Sequence, residues 1–105
     1  MCMKEKIKNK EIVEPEIKNK IVGILKLLIP EAQVYLFGSR AKATHQEFSD
    51  IDLALDAGSP LDHRKVNEAR SVLQSLSIPY KVDLVDFHRV SELMKKSILE
   101  ERVLW

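Results

Sequence analysis

The sequence has little of several residue types, and each shortage excludes a class of protein. Cys2 is the single cysteine among 105 residues, so neither an intrachain disulfide nor a cysteine-based zinc site can form. Lysine and arginine (17) nearly balance aspartate and glutamate (16), for a net charge of +1. That balance gives no overall electrostatic reason to bind nucleic acid or a membrane surface.

Long apolar segments are also missing. The lysine-rich start MCMKEKIKNK has no apolar stretch of the kind found in signal peptides. The longest apolar run, residues 21–29, contains Lys26 and is too short to span a bilayer. We therefore expect a cytoplasmic protein with no membrane contact and no direct nucleic-acid contact.

The remaining composition is that of an ordinary globular protein, with 45% apolar and 31% charged residues. A chain of this length suits one domain with a modest core. We predict a flexible N-terminal arm over residues 1–14, followed by a single domain over residues 15–105.

The apolar pattern predicts the order helix, strand, strand, helix, strand, helix. Pro15 suits the first turn of the first helix, and Pro30 ends its apolar stripe. Asp62 and Ser91 are the predicted N-caps of the second and third helices, and the second helix should end near Ser77.

Three strands are predicted, over residues 34–37, 50–55 and 80–85, and residues 103–105 form either a short strand or a packed tail. A helix joins the second strand to the third, so these two should be parallel if they are neighbours. About a dozen residues join the first two strands, which permits either direction. The predicted fold class is α/β, with a short mixed sheet flanked by helices.

Aspartates stand at strand positions that would ordinarily carry Val or Ile. Side chains alternate along a strand, so Asp50 and Asp52 share one face while Ile51 and Leu53 point into the core. If the apolar faces of both strands meet the same helices, Asp83 falls on the face of the first two aspartates. Three close carboxylates raise one another's pKa or destabilise the fold, and divalent cations relieve both effects. Three aspartates can hold two Mg²⁺ ions.

A Gly-Ser pair follows the first strand and supplies the elements of a phosphate-binding turn. Gly38 allows close approach of a ligand or an unusual backbone turn. Ser39 and the N–H groups after it can face an anion, and Arg40 or Lys42 could add positive charge. A phosphate-binding turn beside a metal site indicates nucleotidyl transfer.

The same aspartates also have plainer interpretations. Asp50 and Asp52 alone would suit an exposed edge strand or a turn, but the spacing from Gly38 and the matching position of Asp83 favour a metal site. Asp86 competes as the third carboxylate. It falls on the opposite face at a strand end, which suits a turn or a cap.

These residues resemble a known motif. Gly38-Ser39, ten residues, then Asp50-Ile51-Asp52 is similar to the GSx10DxD motif of the polymerase-β-like nucleotidyltransferase superfamily. Residues 82–86 resemble the strand that carries the third carboxylate in that superfamily. From about Glu16 to its end, the sequence resembles the minimal nucleotidyltransferases, small prokaryotic proteins that are paired with a separate HEPN-type protein.

The resemblance implies a Mg²⁺-dependent enzyme that binds ATP or another NTP. It would transfer a nucleoside monophosphate, AMP in the ATP case, to a hydroxyl of its HEPN partner and act as the antitoxin of the pair. Two sets of site residues carry over: the metal-binding and catalytic aspartates Asp50, Asp52 and Asp83, and the nucleotide-binding residues Gly38, Ser39 and Arg40.

One position departs from the family pattern. Many members have glycine shortly after the Gly-Ser pair, where this sequence has Ala43. Two alternatives therefore stay open: a non-catalytic nucleotide-binding module that masks a HEPN partner by contact, and a nucleotidyltransferase acting on a small molecule. The short chain leaves little room for an acceptor-binding domain, so we expect a homo- or hetero-oligomer to supply that surface.

Overall fold

The computed structural model describes residues 13–38, 41 and 50–105. These residues form α1 (Pro15–Leu28), β1 (Gln33–Phe37), β2 (Ile51–Asp56), α2 (His63–Gln74), β3 (Val82–Asp86), α3 (Glu92–Glu101) and β4 (Val103–Leu104). The predicted order of elements is confirmed, and the last residues form a short strand. The predicted arm lies almost wholly outside the described residues, so the division at residue 14 stays a prediction.

The helices begin where the sequence indicated. Pro15 is the first helical residue of α1. The Asp62 side chain accepts a hydrogen bond from the Arg64 N–H (2.9 Å), and the Ser91 hydroxyl accepts one from the Met94 N–H (3.2 Å). Both caps satisfy N–H groups that have no partner inside their helices. Within the described residues, no helix is long and apolar enough to cross a membrane.

Two predicted boundaries differ from the structure. Helix α2 ends at Gln74 rather than near Ser77, because the Ser75 hydroxyl donates to the Val72 carbonyl (2.7 Å) and competes with further helical bonding. Strand β3 begins at residue 82 rather than 80, because its partner β2 begins only at residue 51. The Tyr80 hydroxyl instead donates to the carboxylate of Glu14 (2.9 Å).

The four strands form one sheet in the order β3-β2-β1-β4. Strands β2 and β3 are parallel, as predicted. Strand β1 is antiparallel to both β2 and β4, which decides the direction that the sequence left open. The end of β1 therefore lies beside the starts of β2 and β3, at one edge of the sheet.

A single apolar cluster lies between the sheet and the helices α1 and α2. Strand β2 is its centre, since Ile51, Leu53 and Leu55 have no exposed surface. Helix α1 contributes Ile21 and Leu25, which are also fully buried or nearly so. This packing buries one face of the sheet. The side chains of β2 that alternate with the buried ones therefore point to the other face.

Candidate active site

Four of the predicted site residues, Gly38, Asp50, Asp52 and Asp83, lie together at the edge where β1 ends and β2 and β3 begin. The register pairs Phe37 with Asp52 across the antiparallel strands, and Asp52 with Asp83 across the parallel strands. Gly38 directly follows Phe37, and Asp50 directly precedes β2. The sheet thus places Gly38 and the aspartates side by side, although they are separate in the sequence.

The alternation predicted for the two parallel strands is present. In β3, Val82 and Leu84 are buried while Asp83 between them is exposed. In β2, Ile51 is buried and Asp52 is half-buried. Asp52 and Asp83 are direct neighbours in the register and lie on the same face, away from the apolar cluster.

The electrostatics of this face make ionisation of the Asp52 carboxyl less favourable than in water. Burial raises the pKa of the Asp52 carboxyl, and the negative charges of Asp83 and Asp50 raise it further. An acid with a raised pKa favours a proton, or a cation in its place. The three carboxylates are therefore close enough to interact, and the interaction raises the pKa of the half-buried Asp52.

Gly38 is constrained in two independent ways. Its φ angle is +82°, a left-handed conformation that residues with a Cβ adopt only at a cost. A Cβ added there would lie 2.6 Å from Oδ2 of Asp52, which is closer than real contacts allow. The glycine of the motif is thus required both by the turn and by the carboxylate that packs against it.

The backbone N–H of Gly38 donates a hydrogen bond to Oε1 of Glu101 (3.1 Å). Glu101 is the last residue of α3 and was not identified from the sequence. It is one of several carboxylates on that helix, with Glu92 and Glu100, and nothing in the local pattern distinguishes it. Only the pairing of β4 with β1, which places the end of α3 beside the turn, could have revealed it.

Asp86 lies on the opposite face, as its position in the strand predicted, and its surroundings are those of a structural residue. It is buried, with 6% of its surface exposed. Its carboxylate accepts hydrogen bonds from the backbone N–H groups of Leu61 (2.7 Å) and His88 (3.0 Å). It therefore ties the loop before α2 to the end of β3 and takes no part in the aspartate face.

The remaining predicted nucleotide ligands, Ser39 and Arg40, lie outside the described residues, as does Ala43. Their roles stay predictions. Ala41, between Arg40 and Ala43, is described: it is half-buried and packs against the apolar cluster.

The described residues include no group of three acidic, histidine or cysteine side chains arranged tightly enough to form a complete metal cage. The donor set nevertheless fits Mg²⁺. This ion is ordinarily held by one or two carboxylates together with water and substrate phosphates rather than by a cage of protein ligands. A half-buried carboxylate with a raised pKa, flanked by two further carboxylates, is a site whose charge a divalent cation would balance.

Comparison with known proteins agrees with this geometry. Residues 19–105 match the family described as "Polymerase beta, Nucleotidyltransferase". The chain belongs to this family. Its mixed sheet and helices are the family's fold, in its small form.

Similar proteins share this region at moderate identity. The "Protein adenylyltransferase MntA" of Shewanella oneidensis is 36% identical over 90 residues, which cover 84% of this chain and 64% of that protein. The chain spans about two thirds of the length of the MntA relatives that it matches, 64% and 66%.

Two solved structures are similar in backbone as well as sequence. The crystal structure of a toxin–antitoxin with AMP-PNP has a TM-score of 0.71 at 33% identity, covering 84% of this chain and 72% of that one. A complex of the tri-AMPylated Shewanella oneidensis HEPN toxin with its MNT antitoxin has a TM-score of 0.66 at 30% identity, covering 86% and 70%.

Proposed function

We propose that this chain is a protein adenylyltransferase. It transfers AMP from ATP to a hydroxyl of a HEPN-type partner protein and acts as the antitoxin of that pair. The similar MntA proteins carry this activity in their names, and one similar structure contains a HEPN toxin that has been AMPylated. Those proteins are longer, so their activity is an inference for this chain.

One observation carries the proposal. Oδ2 of Asp52 lies 2.6 Å from the position that a Cβ of residue 38 would take, and Asp52 is opposite Asp83 in the sheet register. A turn suited to phosphate and a set of carboxylates suited to Mg²⁺ therefore occupy the same edge. Nucleotidyl transfer needs these two groups together, because the metal ions must contact the phosphates that the turn holds.

Each residue then has a role in the transfer. Mg²⁺ held by Asp50, Asp52 and Asp83 would neutralise the triphosphate charge. Two further residues, Ser39 and Arg40, bind the phosphates together with the Gly38 turn. A bond forms between the acceptor oxygen and the α-phosphorus, and the bond from that phosphorus to pyrophosphate breaks.

The proton of the acceptor hydroxyl must leave as the new bond forms. Asp83 is exposed on the same face as Asp52, which supports a role as the general base that accepts this proton. The reaction then releases pyrophosphate and leaves an AMP-modified partner. We propose a hetero-oligomer with the HEPN protein, because the acceptor hydroxyl must reach this edge of the sheet.

Intact mass spectrometry tests the proposal directly. The chain, a HEPN protein encoded beside it, Mg²⁺ and each NTP in turn are incubated together. We expect the mass of the partner to rise by one or more AMP units with ATP, and not to rise with the Asp50→Asn/Asp52→Asn variant. Glu68→Gln is the matched control, since it removes an exposed carboxylate on α2, away from the site.

Two outcomes contradict the proposal. A stable complex without any mass increase, for every NTP, would identify a module that masks its partner by contact. A mass increase that survives in the double aspartate variant would mean that the transfer does not use this face of the sheet.

A further inference from the structure

The hydrogen bond between Gly38 and Glu101 joins two residues that are 63 positions apart in the sequence. It links the first residue of the Gly-Ser turn to the last residue of α3. Glu101 is half-buried, so its carboxylate is held against the protein rather than extended into solvent. The contact is therefore a fixed part of the fold at the edge where the aspartates gather.

The sheet explains why a carboxylate is needed at this point. Strands β1 and β4 are paired with Tyr35 opposite Leu104 and Leu36 opposite Val103. Two residues further along, the same register would place Gly38 opposite Glu101. The backbone cannot continue the ladder there, because residue 101 is still helical. The side chain of Glu101 accepts the bond that a strand backbone would otherwise accept.

Neighbouring contacts hold the same segment of β1. The Arg102 guanidinium lies 4.3 Å from the centre of the Tyr35 ring, and the Trp105 N–H donates to the Val34 carbonyl (2.9 Å). Residues 101–105 thus contact β1 along its length. The Glu101 bond is the one of these contacts that lies at the Gly38 end of β1.

We infer that Glu101 is a positioning residue for the Gly38 turn and, through it, for the phosphates of the nucleotide. The inference rests on the proposed function. In this role Glu101 acts through the Gly38 N–H, which its Oε1 accepts, rather than through a contact with the substrate. Without Glu101, the Gly38 N–H loses this acceptor, and the backbone beside the Asp52 carboxylate loses one contact that holds it in place. Misplacement of a reacting group by about 1 Å can slow a reaction by about a hundredfold.

Steady-state kinetics on three variants test the inference. Glu101→Ala removes the acceptor, Glu101→Gln keeps an oxygen that can accept the same bond, and Glu100→Ala removes the exposed carboxylate next to it. We expect kcat/KM for MgATP to fall at least about tenfold in Glu101→Ala and to stay within about threefold of wild type in the other two. The KM for MgATP should rise while the KM for the partner protein is unchanged, whereas a loss of folded molecules would lower kcat and leave both KM values unchanged.

A second measurement does not depend on catalysis. The amide resonance of Gly38 in a ¹H–¹⁵N spectrum should shift in Glu101→Ala and stay near its wild-type position in Glu100→Ala. An unshifted amide in Glu101→Ala would overturn the inference, because the contact would then not exist in solution.

The two proposals fail in different ways. If the wild-type chain transfers no nucleotide, the proposed function fails, while the amide shift still reports on the contact. If wild type is active and Glu101→Ala is equally active, the positioning role is wrong and the function stands. Loss of activity in Glu101→Gln equal to that in Glu101→Ala would also overturn the inference, since the hydrogen bond would not be what matters.

Discussion

A carboxylate oxygen of Asp52 lies where a side chain at position 38 would begin. At the scale of single residues, this contact joins the turn to the aspartate face. It also means that Gly38 is restricted by a neighbour in addition to its own backbone, whose φ is +82°. The other glycines of the described chain allow these two restrictions to be separated.

Gly38→Ala should destabilise the protein by about 2–4 kcal/mol, because left-handed strain and overlap with Asp52 act together. Gly58→Ala should cost about 1–2 kcal/mol, since Gly58 has a φ of +84° and nothing within 4 Å of an added Cβ. Gly23→Ala, exposed in α1, should stabilise by about 0.5–1 kcal/mol. Urea unfolding of the three variants measures the series, and equal costs at positions 38 and 58 would show that the Asp52 contact is unimportant.

Asp52→Asn should abolish transfer and slightly stabilise the free protein at neutral pH. The pKa of Asp52 is raised by burial and by the charges of Asp83 and Asp50, so ionisation is less favourable in the folded state than in the unfolded state. The wild-type protein therefore loses stability as the pH rises from the usual value of 3.8 through the raised pKa. The variant avoids this loss.

Thermal unfolding over a range of pH, without Mg²⁺, measures this difference. The gain should be at most about 1 kcal/mol, because the group is partly exposed and solvent screens its charge. It should vanish at acidic pH, where Asp52 is protonated in both states. A variant less stable than wild type at neutral pH would mean that the ionised carboxylate is stabilised by its surroundings.

At the scale of elements, strand β3 carries two aspartates with opposite tasks. Asp83 faces Asp52 and is exposed, whereas Asp86 is buried and accepts two backbone hydrogen bonds. Alternation along the strand is the whole reason for the difference. The two positions therefore offer a matched pair of substitutions within five residues of chain.

Asp83→Asn should reduce transfer by at least about a hundredfold and change stability by less than about 0.5 kcal/mol. Asp86→Asn should lower stability by about 1–3 kcal/mol, because a buried acceptor of two N–H groups is altered, and should leave the activity per folded molecule near wild type. Paired unfolding and transfer assays decide the matter. The reverse pattern would place the third carboxylate at Asp86.

The sequence predicted this division because the period of two in a strand can be read from the apolar residues alone. Both helix caps could also be predicted, because Asp62 and Ser91 accept hydrogen bonds from N–H groups only two or three residues away. The sequence could not predict the antiparallel direction of β1 or the role of Glu101. Both depend on which distant segments become neighbours, and local patterns do not contain that information.

At the scale of the whole molecule, one face of the sheet builds the core and one edge gathers negative charge. A ligand that balances that charge should stabilise the entire fold, because it binds only the folded state. MgATP at about 100 times its dissociation constant should add roughly 2.7 kcal/mol, which is a rise of about 10 °C in Tm for a domain of this size.

Thermal melts with and without MgATP measure this stabilisation. ATP with a chelator in place of Mg²⁺ is the first control, and Asp52→Asn is the second, and neither should show the full rise. An equal rise in Asp52→Asn would place the nucleotide away from the aspartate face.

The bond between Gly38 and Glu101 also has a consequence in time. The 63 positions between them take roughly 3 to 13 seconds to synthesise at the usual rates of translation. During that interval the growing chain already carries Gly38 and Asp52, and then Asp83, but the turn still lacks the carboxylate that holds it. A newly made molecule therefore contains the complete sequence motif before it contains Glu101, the residue whose carboxylate accepts the Gly38 N–H.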